Sequence, residues 1–362
     1  MFEVVDGTGT AAQPTGLASF ASLRRGDDAP DWVRDGVVAA WGLASDTVVR
    51  LIVLSENVTF RVDVAGRPAL VVRLARPGYA TSTVHLRSEL RWIEALRRDV
   101  GLSTPTPVPG ADGDLLQLVR DEAGGTWSAV AFEFVAGTVL EDRDDIPRWF
   151  QEIGAVTAVL HRHARQWTPP AGFGRFTWGL ADLVGPTARW GDWRRADLSA
   201  TQRSVLERAE ARACDILADR TGSRDPAESV GLIHADLRPS NAMTHSDAMT
   251  NADALTVIDF DDCGYGYYLY DFGAALTFYE HRAEAREMAA RWLAGYQEHV
   301  PLRTADLDVA CALSMLRRLT MLGWATTHRE DALPADLWAE NQPGTVEVAA
   351  RYLADPLWLV RP

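Results

Sequence analysis

The sequence predicts an α+β protein: a small antiparallel sheet early in the chain and a mainly helical remainder. Three observations carry this. Residues 47–135 hold short apolar and β-branched runs separated by turn chemistry. From Pro147 onward the apolar residues recur at helical spacing. Two isolated runs inside the helical part, Val230–Ile233 and Leu255–Ile258, have the length and residue types of buried strands.

In chain order, residues 1–30 are rich in Gly, Thr, Ala and Ser without periodicity and predict a loosely ordered arm. Trp32, Val33, Val37, Val38 and Trp41 space a helix over Asp31–Leu43. Thr47–Leu54, Val58–Val64 and Ala69–Leu74 read as strands, and Ala65-Gly66-Arg67-Pro68 is turn chemistry that makes the last two a hairpin. Leu86, Leu90, Ile93 and Leu96 mark the buried face of a helix over Ser82–Arg98. Pro105, Pro107 and Pro109 form a stiff connector, followed by a second hairpin, Leu115–Arg120 and Ala129–Val135, with Gly124-Gly125 in its turn.

The helical part opens with Trp149, Ile153, Val156, Thr157 and Leu160, on a helix ending at His161-Arg162-His163. Histidines at i and i+2 do not share a helix face, which argues against a metal pair there. Phe173 to Trp193 is an aromatic segment that either covers an acceptor or packs as a lid; aromatic side chains mostly serve packing, which favours the lid. Ser199 caps a charged helix running to Arg220. Tyr267–Glu280 reads as a helix beginning near Tyr270-Asp271, and Ala283–His299 and Thr304–His328 as further helices, with Leu316 to Trp324 a candidate lining for an acceptor. There is no internal repeat.

Composition bounds the function classes. At 362 residues the chain holds one two-lobed unit or two domains. Its 47% hydrophobic and 24% charged residues are those of a soluble globular protein. A net charge of −14 argues against nucleic acid or an anionic membrane as partner and suits cationic small substrates. The three cysteines, Cys214, Cys263 and Cys311, form no CxxC and read as reduced, which predicts a cytoplasmic protein. No secretory leader and no apolar run of transmembrane length is predicted. All 36 basic residues are arginine, so no lysine is available for any role.

The chemistry concentrates in Leu232 to Gly273. Each isolated strand delivers an acid at or just past its end, Asp236 after the first and Asp259 after the second, and Asn241 lies five residues past Asp236. These hard oxygen ligands suit a Mg2+ ion that keeps waters and substrate phosphates. Phosphoryl transfer from ATP needs such a set: one Asp to orient the attacking hydroxyl, an Asn and an Asp to hold metal.

His234-Ala235-Asp236-Leu237-Arg238-Pro239-Ser240-Asn241 resembles the H-G-D-x-x-x-x-N catalytic loop of the aminoglycoside phosphotransferase and choline kinase group, and Ile258-Asp259-Phe260-Asp261 resembles the metal-binding step that follows it. Further stretches, VVRLARPGY, SELRWIEAL and LRRLTMLGWATTH, are similar to a bacterial subgroup of phosphotransferase enzymes that includes relatives of stress response kinase A. The resemblance implies a protein-kinase-like two-lobed fold, with a five-stranded N-lobe over 31–135 that binds nucleotide and a helical C-lobe over 136–362 that carries catalysis and the acceptor. It implies Asp236 as the catalytic residue, Asn241 and Asp259 as metal ligands, and ATP with Mg2+ as cofactors. Arg73 stands where the phosphate-binding lysine is usual, with Glu89 as its expected partner; a surface Glu on an amphipathic helix is the alternative.

Ser55-Glu56-Asn57 occupies the place of the phosphate-covering loop without its glycines, and serves either phosphate, through Ser55, or a plain hairpin. The backbone of Glu133, Phe134 and Val135 resembles the adenine-binding hinge. Asp261 and Asp262 are candidates for an amine on the acceptor or for fixing their own loop, and Asp271 for supporting the catalytic loop or favouring a helix start. Ala235 for the usual Gly is expected to be tolerated unless the position needs positive φ. The expected activity is ATP-dependent phosphorylation of a hydroxyl on a small molecule: an amino-alcohol, an aminoglycoside-like antibiotic or a related metabolite. A protein Ser/Thr kinase and a non-catalytic nucleotide-binding scaffold are the rival readings.

Overall fold

The structure, a computed structural model, describes residues 20–77, 82–221, 226–246 and 253–361. They fall into two units, the described residues up to Leu90 with Thr106–Val135, and Arg91–Pro105 with the described residues from Ala136 onward.

The first unit contains α1 (Asp31–Trp41), β1 (Val48–Leu54), β2 (Asn57–Val64), β3 (Arg67–Ala75), the start of α2 (Thr83–Val100), β4 (Gln117–Arg120) and β5 (Thr126–Glu133). The five strands form one antiparallel sheet in the order β1-β2-β3-β5-β4. The β2–β3 turn is tighter than the sequence predicts. Ala65 and Gly66, both at positive φ, make a two-residue connection, so Arg67 and Pro68 already lie in β3. The ladder shifts register between Val62 and Asp63, where Pro68 pairs, and such an irregularity tolerates a residue without an N–H.

The N-terminal arm is a correction. Phe20 is fully buried against Trp32 and Trp127, with ring centroids 5.5 Å apart in both pairs. Backbone hydrogen bonds join Gly26, Asp27 and Ala29 to Leu51 and Val49 of β1. One large aromatic and a free strand edge outweigh the Gly- and Ser-rich composition from Phe20 onward. The earlier part of the arm, 1–19, lies outside the described residues.

The second unit holds the rest of α2 and β6 (Thr138–Val139), α3 (Phe150–Gln166), β7 (Thr177–Trp178), α4 (Leu180–Val184), α5 (Ala200–Thr221), α6 (Pro226–Ser229), β8 (Val230–Ile233), β9 (Ala242–Ser246), β10 (Asp253–Val257), β11 (Gly264–Tyr267), α7 (Tyr270–Ala275), α8 (Ala285–Gln297), α9 (Thr304–Ala325) and α10 (Ala335–Ala354). Helices α3 and α8 cross at Gly154 and Gly295; a Cβ on either would lie 2.0 Å or less from a carbonyl oxygen of the other helix. Ser199 caps α5 as expected, its Oγ accepting the Gln202 N–H at 3.3 Å. Helix α9 is buried on all sides from Val309 to Trp324, so its two arginines, Arg317 and Arg318, lie inside the unit. Arg318 pairs with the equally buried Glu280 at 2.8 Å.

Two small sheets carry the candidate site, β10-β9-β6 and β7-β11-β8. The helix predicted within Tyr267–Glu280 starts at Tyr270 as expected, but it is shorter and a strand precedes it. Gly264–Tyr267 is β11, antiparallel to β8, and the helix is only Tyr270–Ala275. Alternating Gly and Tyr suit a pleated strand, and β8 supplies the partner that local spacing could not reveal.

Candidate active site

The loop after β8 is pinned from beneath by one carboxylate. Asp271 Oδ1 accepts the Ala235 N–H at 2.7 Å, and Oδ2 accepts the His234 N–H at 3.1 Å. Oδ2 also meets His161 Nε2 at 3.0 Å, and His161 Nδ1 meets the Tyr296 hydroxyl at 2.9 Å. Asp271, His161 and His234 are all fully buried. Burial lowers the pKa of both histidines. His161 is therefore neutral, donating from Nε2 to Asp271 and accepting from Tyr296 at Nδ1. Of the two readings of Asp271, loop support is the one the contacts bear out. Ala235 has φ +68°, so this is the positive-φ case in which alanine is not an innocent substitute for glycine.

Asp236 follows at the mouth of this loop, its side chain 14% exposed. Asn241 Nδ2 donates to its Oδ2 at 2.7 Å and to its backbone oxygen at 2.9 Å. Arg317 Nη2 donates to Oδ1. Arg238 approaches Oδ2 at 3.5 Å and Glu141, whose pKa burial raises, at 3.7 Å.

Asp259 is brought to Asn241 by the β9–β10 hairpin. Val257 pairs with Ala242, and the Ile258 N–H donates to the Asn241 carbonyl at 3.0 Å. Asp259 is exposed and holds φ +61°. Because the Asn241 amide nitrogen is engaged by Asp236, its side-chain oxygen is directed away from that carboxylate. The Asn241 side-chain oxygen and the Asp259 carboxylate are hard donors of the kind that suits a divalent ion taking its other ligands from phosphates and water. Among the described residues no group of three or more His, Cys, Asp and Glu could hold a metal, so the arrangement is not a closed protein cage.

The segment beyond Asp259 is braced through its backbone. Arg175 donates to the carbonyls of Asp261 and Cys263, and Trp178 Nε1 donates to the Asp262 carbonyl at 2.7 Å. Trp178, Trp190 and Trp193 are buried, so the aromatic segment packs as the lid reading expects. The Asp261 and Asp262 side chains are half-buried. His234 and Phe260 couple the two loops, their rings 4.6 Å apart.

In the first unit, Arg73 of β3 and Glu89 of α2 form the expected pair. Arg73 Nη2 donates to both carboxylate oxygens, at 2.8 and 2.7 Å, with side-chain exposures of 5% and 0%. Glu89 is therefore not a surface residue. Ser55 sits in the β1–β2 turn, its N–H donating to Asn57 O at 3.0 Å. The N–H groups of Glu133 and Phe134 donate to Thr106 O and Ala69 O. This narrows the expected adenine donor at that stretch to Val135.

The "Phosphotransferase enzyme family" model matches residues 49–307, a span that includes Arg73, Glu89, Asp236, Asn241, Asp259 and Asp271. The chain belongs to this family. Its structure is similar to that of a microcompartment-associated aminopropanol kinase, with 35% identity, TM-score 0.79, and coverage of 90% of this chain and 98% of that one. It is also similar to the amicoumacin kinase of Bacillus subtilis (strain 168), 21% identical over 79% of this chain and 81% of that protein. A solved amicoumacin kinase complex with AMP-PNP and Ca2+ shares the fold at TM-score 0.67 and 21% identity, over 88% of this chain and 92% of that one.

Within this phosphotransferase, sequence reasoning missed the contacts of three residues at the site: Arg175, Glu141 and Arg317, the last expected only as part of an acceptor lining over Leu316 to Trp324. Arg317 is the most informative. Its signal was an arginine in the otherwise apolar run CALSMLRRLTML, since a charge on a buried helix face requires a partner. Arg175 hid in an aromatic segment, and Glu141 in an acidic stretch that reads as solvated surface.

Proposed function

We propose that this kinase uses ATP to phosphorylate the hydroxyl of a small amino-alcohol. ATP-dependent transfer to a small-molecule hydroxyl is the activity of its family. The amino-alcohol is the finer reading. It rests on the 35% identity to an aminopropanol kinase over 90% of the chain, and on the net charge of −14, which favours a cationic acceptor.

The observation that carries the assignment of roles is the Asp236–Asn241 pair with Asp259 alongside. Asp236 accepts the hydrogen bond of the acceptor hydroxyl and aims its oxygen at the γ-phosphorus. The new O–P bond forms as the bond to the ADP oxygen breaks, and the hydroxyl proton passes to Asp236 and then to solvent or product phosphate. Asn241 and Asp259 would hold Mg2+, which offsets phosphate charge when bound. In the first unit, Arg73, fixed by Glu89, would meet phosphate oxygens, Ser55 would meet the phosphates from its turn, and Val135 would meet adenine. Asp261 and Asp262 would face the acceptor amine. We also propose a cytoplasmic location, which the three free thiols Cys214, Cys263 and Cys311 support.

The test is ATP turnover with amino-alcohols, aminoglycosides, sugars and nucleosides, wild type beside Asp236→Asn. An amino-alcohol gaining one phosphoryl group with wild type only is the expected result. Transfer confined to sugars or nucleosides rejects the acceptor class, and full activity in Asp236→Asn rejects the role of Asp236.

A further inference from the structure

Arg317 is fully buried on α9, a place where an apolar side chain of similar volume would cost less desolvation. Two of its hydrogen bonds reach the loop that carries Asp236, and its other contacts hold the guanidinium in place. Nη2 donates to Asp236 Oδ1, and Nη1 donates to the Ala235 carbonyl and to the Tyr270 hydroxyl, each at 3.3 Å. Nε donates to Thr277 Oγ1 at 3.0 Å, and the guanidinium lies over the Trp190 ring, 4.7 Å from its centroid. The neighbouring Arg318 is equally buried but pairs with Glu280, Thr345 and the Asn341 carbonyl, away from the loop. The two arginines thus have separate tasks on one helix.

We infer that Arg317 is the positioning residue for Asp236, fixing the plane in which the carboxylate meets the acceptor hydroxyl. A carboxylate offers about four lone-pair sites. Arg317 takes one on Oδ1 and Asn241 takes one on Oδ2. With both oxygens tied, rotation of the carboxylate is blocked from two sides. The planar guanidinium, itself held by Tyr270, Thr277 and Trp190, sets the plane in which Asp236 presents its remaining lone pairs. The loop backbone is held by the same side chain at Ala235, so side chain and main chain of the base are referred to one rigid helix.

The inference rests on the role given to Asp236 above, and the experiment separates the two. Arg317→Met, Arg317→Lys, Arg318→Met and Asp236→Asn are compared with wild type by steady-state kinetics. Active sites are counted by ATP-analogue binding. Arg317→Met is expected to lose about 10²-fold in kcat per binding-competent site, the scale for a displaced reacting group, with nucleotide Kd and acceptor KM within about threefold of wild type. Arg317→Lys, which keeps the charge and loses the fork, is expected between the two, about tenfold below wild type. Arg318→Met is expected to be less stable while keeping kcat per site.

Should Arg317→Met yield no folded protein, Arg317→Lys decides: lower kcat at unchanged nucleotide affinity supports the inference, and wild-type kcat overturns it. Wild-type kcat in Arg317→Met, or equal losses per site in the Arg317 and Arg318 variants, overturns it as well. An active Asp236→Asn removes the role of Asp236. An inactive Asp236→Asn beside fully active Arg317 variants removes only the role of Arg317.

Discussion

Asp271 and Ala235 are joined by a 2.7 Å hydrogen bond from the Ala235 amide to a fully buried carboxylate, and Ala235 makes it from a left-handed backbone conformation. The loop that carries Asp236 is therefore shaped by a main-chain strain and a buried acceptor that holds it. Each half of that relationship can be altered separately.

Replacing the acceptor comes first. In Asp271→Asn, one side-chain oxygen becomes an NH2 that cannot accept the loop amides. A buried N–H is then left without a partner, and the expected cost is about 2–4 kcal/mol of stability. Urea unfolding measures it, and kcat at a temperature where the variant stays folded should fall as Asp236 loses its fixed position. A stability equal to wild type would contradict the support role.

Relieving the strain is the converse. Ala235→Gly removes the Cβ that makes φ +68° unfavourable, against a modest gain in unfolded-chain entropy. The net expectation is about 0.5–1 kcal/mol more stable, with kcat retained. A higher urea midpoint at an unchanged m-value would verify it. A less stable glycine variant would show that the alanine methyl makes a packing contribution larger than the strain.

Arg73 tests the nucleotide side. Arg73→Met leaves Glu89 buried without its cation, an expected loss of about 3–5 kcal/mol. Arg73→Lys keeps a charge and restores the residue usual in the family. We expect Arg73→Lys to bind ATP within about tenfold of wild type and Arg73→Met to bind far more weakly, as isothermal calorimetry on folded protein would measure. Equal ATP affinity in all three would remove Arg73 from phosphate binding.

The buried histidines make stability depend on pH. His161 and His234 have pKa values lowered from 6.5 by burial, so the unfolded chain takes up their protons first as pH falls. Their contribution is complete above about pH 6.5 and is lost below it, by up to about 1.4 kcal/mol per pH unit for each. Glu280, raised by burial, acts in the opposite sense, its contribution being lost as pH rises from the usual carboxylate range. The histidine share is isolated by His161→Gln, which can still donate to Asp271 and accept from Tyr296. Its stability should fall less steeply than wild type between pH 7 and pH 5.5. Parallel slopes would mean that His161 does not titrate on unfolding.

What the amino-acid sequence determined by itself is local. Two apolar runs with an acid at each end placed Asp236 and Asp259 on strand ends, because strand length and burial preference are written within a few residues. The short spacing from Asp236 to Asn241 set both on one loop, and the structure pairs them across one 3-10 turn. Arg73 and Glu89, on adjacent elements, were readable from strand–helix order.

What only the tertiary structure decided depends on partners far along the chain. Gly264–Tyr267 became a strand because β8 lay beside it, and Phe20 became core because Trp32 and Trp127 surrounded it. The positive φ of Ala235 follows from an acceptor 36 residues away. Arg317 reached Asp236 across 81 residues, since a buried charge must find its counter-charge in space and sequence spacing does not record which one it finds.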